Sequence, residues 1–521
     1  MTSLVKSIAT VGGWTMISRI LGFVRDVMIA NVLGAGMIAD AFFIAFKFPN
    51  LFRRLFGEGA MNAAFVPMYA GRLESRGRDT ATAFAADVAA VLTAWSLFLT
   101  LALMAAMPWV MTVTAHGFVD QPEKFDLTVE LARITFPYLL FMVLAALLSG
   151  MLNSVGRFAA AAAAPVILNL VFISALMLIH FGHAVLPGQT LAYAVAVSGA
   201  LQFLMLVAAC RREGVMPPLP WPKLTPDVKR LLVLMAPGVL GAGVVQINVV
   251  VGDMLATLLQ EGSVSFLYYA DRVNQLPLGV VGTAVGIALL PLLSRQLRAG
   301  DIAAATDSMN RALEVSMILT VPAAVALVAM PEAIVTVLFQ RGAFGADATD
   351  ATSGALRAFA LGLPAYVLIK ALAPGFFARE DTSTPVKIAI AAMAVNLVLA
   401  IGLMQVLDHV GIALATALAA WINAGLLASI LARRGLFAVD ARLRRAMPRL
   451  MLSAAVMGGT VYFAAGRAQP LIEDGELVRG VVLAGLIAGG MAVYAVMAQI
   501  TGAADFRDLR RMLKRPAKSK S

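Results

Sequence analysis

From residue 8 to residue 500 the sequence runs as a series of apolar segments parted by short polar joints. A helix that crosses a bilayer needs about 20 mostly apolar residues, because the hydrocarbon core is about 30 Å thick. That window marks fourteen segments, at 8–31, 36–56, 83–108, 128–152, 159–181, 188–210, 229–257, 264–292, 311–338, 352–378, 385–407, 410–432, 448–466 and 477–500. Backbone inside hydrocarbon must satisfy its own hydrogen bonds, which leaves helices or closed barrels. Long unbroken apolar runs favour helices, so the expected class is an all-α polytopic membrane protein. Composition agrees: 60% of the residues are hydrophobic and 14% are charged, against about 25% charged in soluble domains. The single cysteine, Cys210, excludes an internal disulfide. No cleaved leader is expected, because the first apolar run carries Arg19 and Arg25 and lacks a small-residue cleavage pattern.

Loop charges set the expected orientation. Fourteen spans put both termini on one side. The loops of that side hold Arg53, Arg54, Arg72, Arg76 and Arg78, then Arg211, Arg212, Lys223, Lys229 and Arg230, then Arg433, Arg434, Arg442, Arg444 and Arg445. The opposite loops hold little beyond Lys124, Arg341, Arg467 and Arg479, and carry Asp120, Glu123, Asp347, Asp350, Glu473 and Asp474. Basic loops stay in the cytoplasm, so both termini are expected there. The formal net charge of +11 is thereby accounted for without a nucleic-acid partner.

A proline-rich basic stretch, "MPPLPWPKLTP" at 216–226, divides the chain after six spans. Thr225-Pro226-Asp227 reads as a helix start, with a Thr cap, Pro in the first turn and an early acid. Residues 41–73 align without gaps to 265–297, pairing Phe42 with Phe266, Asn50 with Asn274 and Pro67 with Pro291. "NLV" recurs at 169–171 and 396–398. An even number of spans per repeat keeps both copies in one orientation, a transporter signature with the substrate site between repeats. The expected organisation is an N-terminal lobe at 1–215, a cytoplasmic linker at 216–228, a C-terminal lobe at 229–435, two further spans at 436–505 and a basic cytoplasmic tail at 506–521. The lobes are related by a pseudo-two-fold axis along the membrane normal.

Ionisable residues inside the spans are few: Arg19, Arg25, Asp26, Asp40 and Lys47 early, then Asp253, Asp271, Arg272 and Lys370, with Arg53, Arg54 and Glu58 at the foot of the second span. A charge facing lipid costs about 2.5–3.5 kcal/mol or more, so these face protein or water. Arg19 and Asp26 are seven residues apart, as are Asp40 and Lys47, so each pair shares a helix face. Two readings stay open for Asp40/Lys47 and Asp271/Arg272: register-fixing ion pairs, or ligand contacts. For Arg19, Arg25 and Arg272 an anionic ligand is the stronger reading, since cations outnumber carboxylates there and arginine suits bidentate phosphate binding. Pro277 and "GEGA" at 57–60 are candidate hinges. Enzyme motifs are absent: no glycine-rich phosphate loop occurs, and His180 and His183 lack further ligands. No metal and no cofactor are called for.

"SRILGFVRD", "GAGMIADAFFIAFKFPNLFRRLFGEGAMNAAFVP" and "YYADRVNQLPLGVVGTAVGIALLPLLS" closely resemble the bacterial lipid II flippases, the MurJ (MviN) family of the multidrug/oligosaccharidyl-lipid/polysaccharide exporter superfamily. The resemblance covers essentially the whole chain. It implies a transporter, not an enzyme, that moves the undecaprenyl-diphosphate-linked peptidoglycan precursor lipid II to the periplasmic leaflet by alternating access. It implies diphosphate and head-group contacts at Arg19, Arg25, Arg53 and Arg272, with Asp26, Asp40, Lys47, Arg54, Glu58 and Asp271 supporting or gating. The last two helices are expected to hold the polyprenyl tail. A cation site described for some members maps to Asp253, Asn396 and Thr416; Ala400 adds no carboxylate there. Membrane potential or a cation gradient is the expected energy source. The expected partners are lipid II, membrane lipids and the peptidoglycan synthesis machinery. The alternative is export of another polyprenyl-linked glycan or of drugs.

Overall fold

The computed structural model describes residues 2–54, 61–472 and 475–503, and they form α-helices joined mostly by short turns, with a longer irregular linker between Arg212 and Pro226. The first elements are α1 (Thr2–Leu33), α2 (Met37–Arg53), α3 (Met61–Ala105), α4 (Met107–Thr114), α5 (Pro122–Thr135), α6 (Tyr138–Ser154), α7 (Phe158–His180), α8 (Pro187–Arg212) and α9 (Pro226–Thr257). Then come α10 (Ser263–Arg298), α11 (Ile302–Ala329), α12 (Pro331–Phe339), α13 (Ala346–Phe377), α14 (Ser383–Arg433), α15 (Ala441–Ile472) and α16 (Glu476–Thr501). The all-α membrane class expected from the sequence is what is found. Eight of the described helical stretches are long and apolar enough to cross a membrane by length and composition.

The expected segments fall on these helices, and the departures have local causes. Segments 83–108, 128–152 and 311–338 are interrupted at Ala106, at Phe136–Pro137 and at Met330. Pro108, Pro137 and Pro331 sit at these breaks, and proline cannot donate the hydrogen bond that would carry a helix through. α3 turns at Gly77 (φ 82°) and α14 at Asp408 (φ 47°), so each holds two helical runs. Pro277 lies inside α10, which stays helical around it. The 57–60 hinge, Glu58 and the 506–521 tail lie outside the described residues. The predicted start at Thr225 is found: its hydroxyl accepts from Val228 N–H (3.4 Å), with Pro226 and Asp227 in the first turn.

The chain packs as two compact units. One is Met1–Ser265 together with Arg341–Gly345. Its core includes an aromatic cluster in which the Phe46 ring lies 6.0 Å from Phe42, 5.8 Å from Phe172 and 6.4 Å from Tyr138. Such rings bury much apolar area and lock the helices that carry them. Arg341–Gly345 straps onto the end of α1, where Ala343 N–H donates to the Asn31 carbonyl (2.9 Å). Arg72 of α3 meets Asp227 of α9 at 2.7 Å.

The other unit is Phe266–Gln340 with Ala346–Ser521. Leu293, Met309, Leu372, Phe376, Leu427 and Leu431 form its core. At Gly362 of α13 a side chain would meet the Ala417 Cα of α14 at 2.8 Å, so only glycine permits this close approach. A polar clasp seats α15 on α11: Asp440 accepts from Leu443 N–H (2.6 Å), and Arg311 ion-pairs with both Asp440 and Glu314. Arg442 also reaches Glu314 (3.1 Å), and Asn310 donates to the Ala438 carbonyl (2.9 Å). At the head of α14, Asp381 accepts from Thr384 N–H (2.9 Å) and hydroxyl (2.6 Å) and meets Arg434 at 2.7 Å. These bonds, the Thr384 hydroxyl first, hold the Asp381 carboxyl down at about 2.

Candidate functional site

The charges predicted inside the spans separate into two kinds. The first kind is deeply buried and wrapped by partners. Asp40, in the first turn of α2, is 1% exposed and receives four hydrogen bonds. They come from the Lys124 ammonium (2.8 Å), Gly262 N–H (2.8 Å), Ser265 N–H (3.0 Å) and the Ser265 hydroxyl (2.6 Å). Lys124, at the start of α5, is 2% exposed and stands 4.2 Å from the Phe118 ring centroid. Next to this cluster Met37 N–H donates to Glu261 (2.8 Å). One carboxylate therefore ties together α2, α5 and the turn that leads into α10.

This corrects a sequence expectation. Asp40 and Lys47 share a face of α2 but do not pair. Asp40 takes Lys124, and Lys47 forms its ion pair with Asp253 of α9, both half-buried. Spacing along one helix reports which residues face the same way. It is blind to a partner that arrives from another element.

Arg25 is the second buried cation, 7% exposed. Its Nε and Nη2 donate to Asp26 Oδ1 at 3.1 and 2.8 Å, and its Nη1 to Asn169 Oδ1 at 3.1 Å. The guanidinium lies 5.3 Å from the Phe172 centroid, on the aromatic cluster of the first unit. Asn169 completes the arrangement by donating to the Ser18 carbonyl (2.9 Å), which pins α7 to α1. Arg19 does not join Asp26; it is exposed on α1.

The other kind of charge is half-buried or exposed. Arg53 Nε donates to Asn50 Oδ1 (3.0 Å), and Arg54 is half-buried beside it at the end of α2. Arg272 of α10 donates to the Tyr268 hydroxyl (3.0 Å), with its guanidinium 4.7 Å from the Tyr268 ring centroid. Asp271 accepts a hydrogen bond from Gln275 of the same helix. Lys370 is exposed and its chain passes over Gly282. Arg53 and Arg272 are each oriented by a neighbour three or four residues away. A planar guanidinium fixed in this way is prepared for bidentate contact with a phosphate.

Of the cation-site positions, Asp253 belongs to the first unit, while Asn396 and Thr416 belong to the second. Asn396 is buried at 5% exposure, and the Thr416 hydroxyl donates to Ile412 of its own helix (3.0 Å). Among the described residues no three His, Cys, Asp or Glu side chains gather closely enough to hold a metal ion. Glu58 cannot be placed with the rest, since it falls outside the described residues.

Sequence reasoning passed over Lys124, Asn169, Glu261 and Ser265. Lys124 carried a signal, as a lysine in a loop otherwise acidic at Asp120 and Glu123. Asn169 carried another, as a polar residue inside the apolar run "PVILNLVF".

Comparison with known proteins decides the family. The profile described as "Lipid II flippase MurJ" matches residues 29–483. The chain belongs to the MurJ family. It is 49% identical over 518 residues to the probable lipid II flippase MurJ of Rhizobium tropici, covering 98% of this chain and 97% of that protein. To the lipid II flippase MurJ of Burkholderia cenocepacia it is 34% identical over 501 residues, covering 94% and 97%. Among solved structures it resembles a lipid II flippase MurJ in an inward closed conformation, with TM-score 0.77 and 26% identity over 96% of this chain and 99% of that one. An inward-facing multidrug transporter of the MATE family and MOP superfamily shares the fold, with TM-score 0.66 at 16% identity over 82% and 98%. The resemblance expected from the three sequence stretches is thus found across the whole chain.

Proposed function

We propose that this chain is a lipid II flippase. It moves the polyprenyl-diphosphate-linked peptidoglycan precursor from the cytoplasmic to the periplasmic leaflet by alternating access. The observation that carries this is the family match over 29–483, joined to end-to-end similarity with flippases that are up to 49% identical. Supporting it are half-buried arginines pre-oriented on α2 and α10, the residue type that phosphate calls for. Arg19, Arg25, Arg53 and Arg272 are the proposed contacts for the diphosphate and head group, with Asp26, Asp40, Lys47, Arg54, Glu58 and Asp271 supporting them. Asp253, Asn396 and Thr416 are the proposed cation contacts.

The remaining parts follow the sequence. The protein sits in the inner membrane with both termini cytoplasmic, as the basic loops favour. Residues 1–215 and 229–435 are the two repeats, and 436–505 hold the lipid tail. Large apolar side chains on α15 and α16, such as Met451, Phe463, Val481, Met491 and Ile500, are exposed as a lipid-facing pair requires. An anion leaving a cell that is negative inside gains about 2.3 kcal/mol per charge per 100 mV. Membrane potential or a cation gradient therefore drives the cycle, and the peptidoglycan synthases receive its product.

The test is depletion of the protein in cells, followed by measurement of lipid II exposed on the periplasmic face. Loss of exposed lipid II, with the precursor accumulating inside, is expected. Unchanged exposure, or accumulation of a different lipid-linked glycan, overturns the proposal.

A further inference from the structure

The second unit contains a cavity of about 680 Å³ that the flipping residues do not touch. It lies where α11 passes into α12, where α13 begins, and where α15 ends and α16 starts. Arg357, Arg467 and Arg479 line it, with Glu332 and Asp350. Arg357 is eleven residues beyond Ala346, about 16 Å along the axis of α13. Among the described residues neither Arg357 nor Arg467 has a hydrogen bond or an ion pair. Arg479 donates to the Gln340 carbonyl at 3.1 Å, which holds it at the wall. The first residue of α13 also lines the cavity, so the positive end of that helix adds to the field.

Two further residues locate the site relative to lipid. Tyr462 and Phe463 line the cavity as an edge-to-face pair with centroids 5.6 Å apart, and they are 61% and 66% exposed. Exposed Tyr and Phe beside an apolar helix surface belong at the membrane–water boundary. Every lining segment sits at the helix ends opposite the basic loops. On the orientation proposed above, that is the outer leaflet.

We propose that this cavity binds the phosphate of an outer-leaflet lipid headgroup, separately from the flipping site. Arg357 and Arg467 grip the phosphate, and the Tyr462–Phe463 pair covers the glycerol or isoprenoid stem at the lip. A cavity of this volume holds a headgroup of ordinary size. Arg357 and Arg467 are both exposed, so their guanidinium groups are open to an incoming phosphate. Glu332 and Asp350 give the site a second property: an ammonium with N–H donors would fit beside the phosphate.

The test is native mass spectrometry of the purified full-length protein with phosphatidylglycerol, phosphatidylethanolamine, phosphatidylcholine, diacylglycerol or inorganic phosphate. Phosphate-bearing lipids should be retained and diacylglycerol should not. Retention should fall by about tenfold or more in the Arg357→Gln/Arg467→Gln double variant, the effect of losing charge-assisted hydrogen bonds. It should return in Arg357→Lys/Arg467→Lys, whose thermal melting also checks folding. Phosphatidylethanolamine held above phosphatidylcholine supports the ammonium contact. Equal retention by native and double-Gln protein overturns the proposal, as does binding of inorganic phosphate without lipid. A Phe463→Cys variant labelled in intact cells by an impermeant maleimide places the cavity outside. Labelling only after permeabilisation overturns the outer-leaflet assignment and, separately, the orientation.

Discussion

Asp40 and Asp271 are carboxylates in corresponding regions of the two repeats, yet they meet opposite surroundings. Asp40 is 1% exposed and wrapped by an ammonium, two backbone N–H groups and a hydroxyl from two other elements. Asp271 is half-buried, and its acceptor role is met by Gln275 of its own helix. The alignment places 41 opposite 265, so Lys47 stands opposite Asp271, and the residue opposite Asp40 is the apolar Val264. The two aligned stretches therefore differ in where charge is buried. A carboxylate enclosed by four donors cannot also meet a ligand unless the enclosure opens. A half-buried charge such as Asp271 can.

The sharpest way to break this contrast is Asp40→Ala. It strands the buried Lys124 ammonium and three other donors, and losing one partner of such a pair costs about 3–5 kcal/mol. Thermal denaturation of the purified protein should show a large loss. Lys124→Met should cost less, because the backbone donors still hold the carboxylate. Native-like melting of Asp40→Ala would erase the distinction between the two carboxylates.

Arg25→Ala ranks second. It removes the cation from buried Asp26 and a donor from Asn169, so a stability loss of about 2–3 kcal/mol is expected. Lipid II translocation should fall with it. Arg25→Lys keeps the charge and loses the fork, so melting should recover in part while translocation stays low. If Arg25→Ala lowers translocation at unchanged stability, Arg25 belongs with the accessible charges.

How much of this was legible in the sequence follows from what each signal can see. Hydropathy found the helices because lipid demands about 20 apolar residues in a row. The proline-rich linker and the alignment of 41–73 with 265–297 mark the expected repeat. Lys124 was hidden because its partner lies 84 positions away, in a different helix. Lys47 and Asp253 were hidden for the same reason. Asp408 takes a left-handed φ of 47° between two helical runs that hydropathy alone marked as separate. The arginines were legible as cations inside or at the ends of apolar runs, but the exposure of Arg19 and the pairing of Arg25 with Asp26 were not. Their orienting neighbours Asn169, Asn50 and Tyr268 required the fold.

The smallest effect concerns Asp381, which clips the head of α14 to Arg434. Its carboxyl is lowered from 3.8 to about 2, by the Thr384 hydroxyl and N–H and then by Arg434. A lowered acid contributes stability above its unfolded value, and that contribution is lost as pH falls through the folded one. Asp381→Asn should lower neutral-pH melting slightly, because that contribution is fully present there, and should remove the part of the acid sensitivity that lies between pH 3.8 and about 2.

The central claim is that the more accessible Arg53 and Arg272 meet the diphosphate directly, whereas Arg25, enclosed by Asp26 and Asn169, reaches it only when that enclosure opens. Translocation of lipid II by purified Arg272→Ala in vesicles, beside its thermal melting, tests this most directly. The account predicts native melting, within about 1 kcal/mol for a half-buried surface change, with translocation reduced at least about tenfold, the cost of a lost charge-assisted contact. Native translocation at native stability would contradict it.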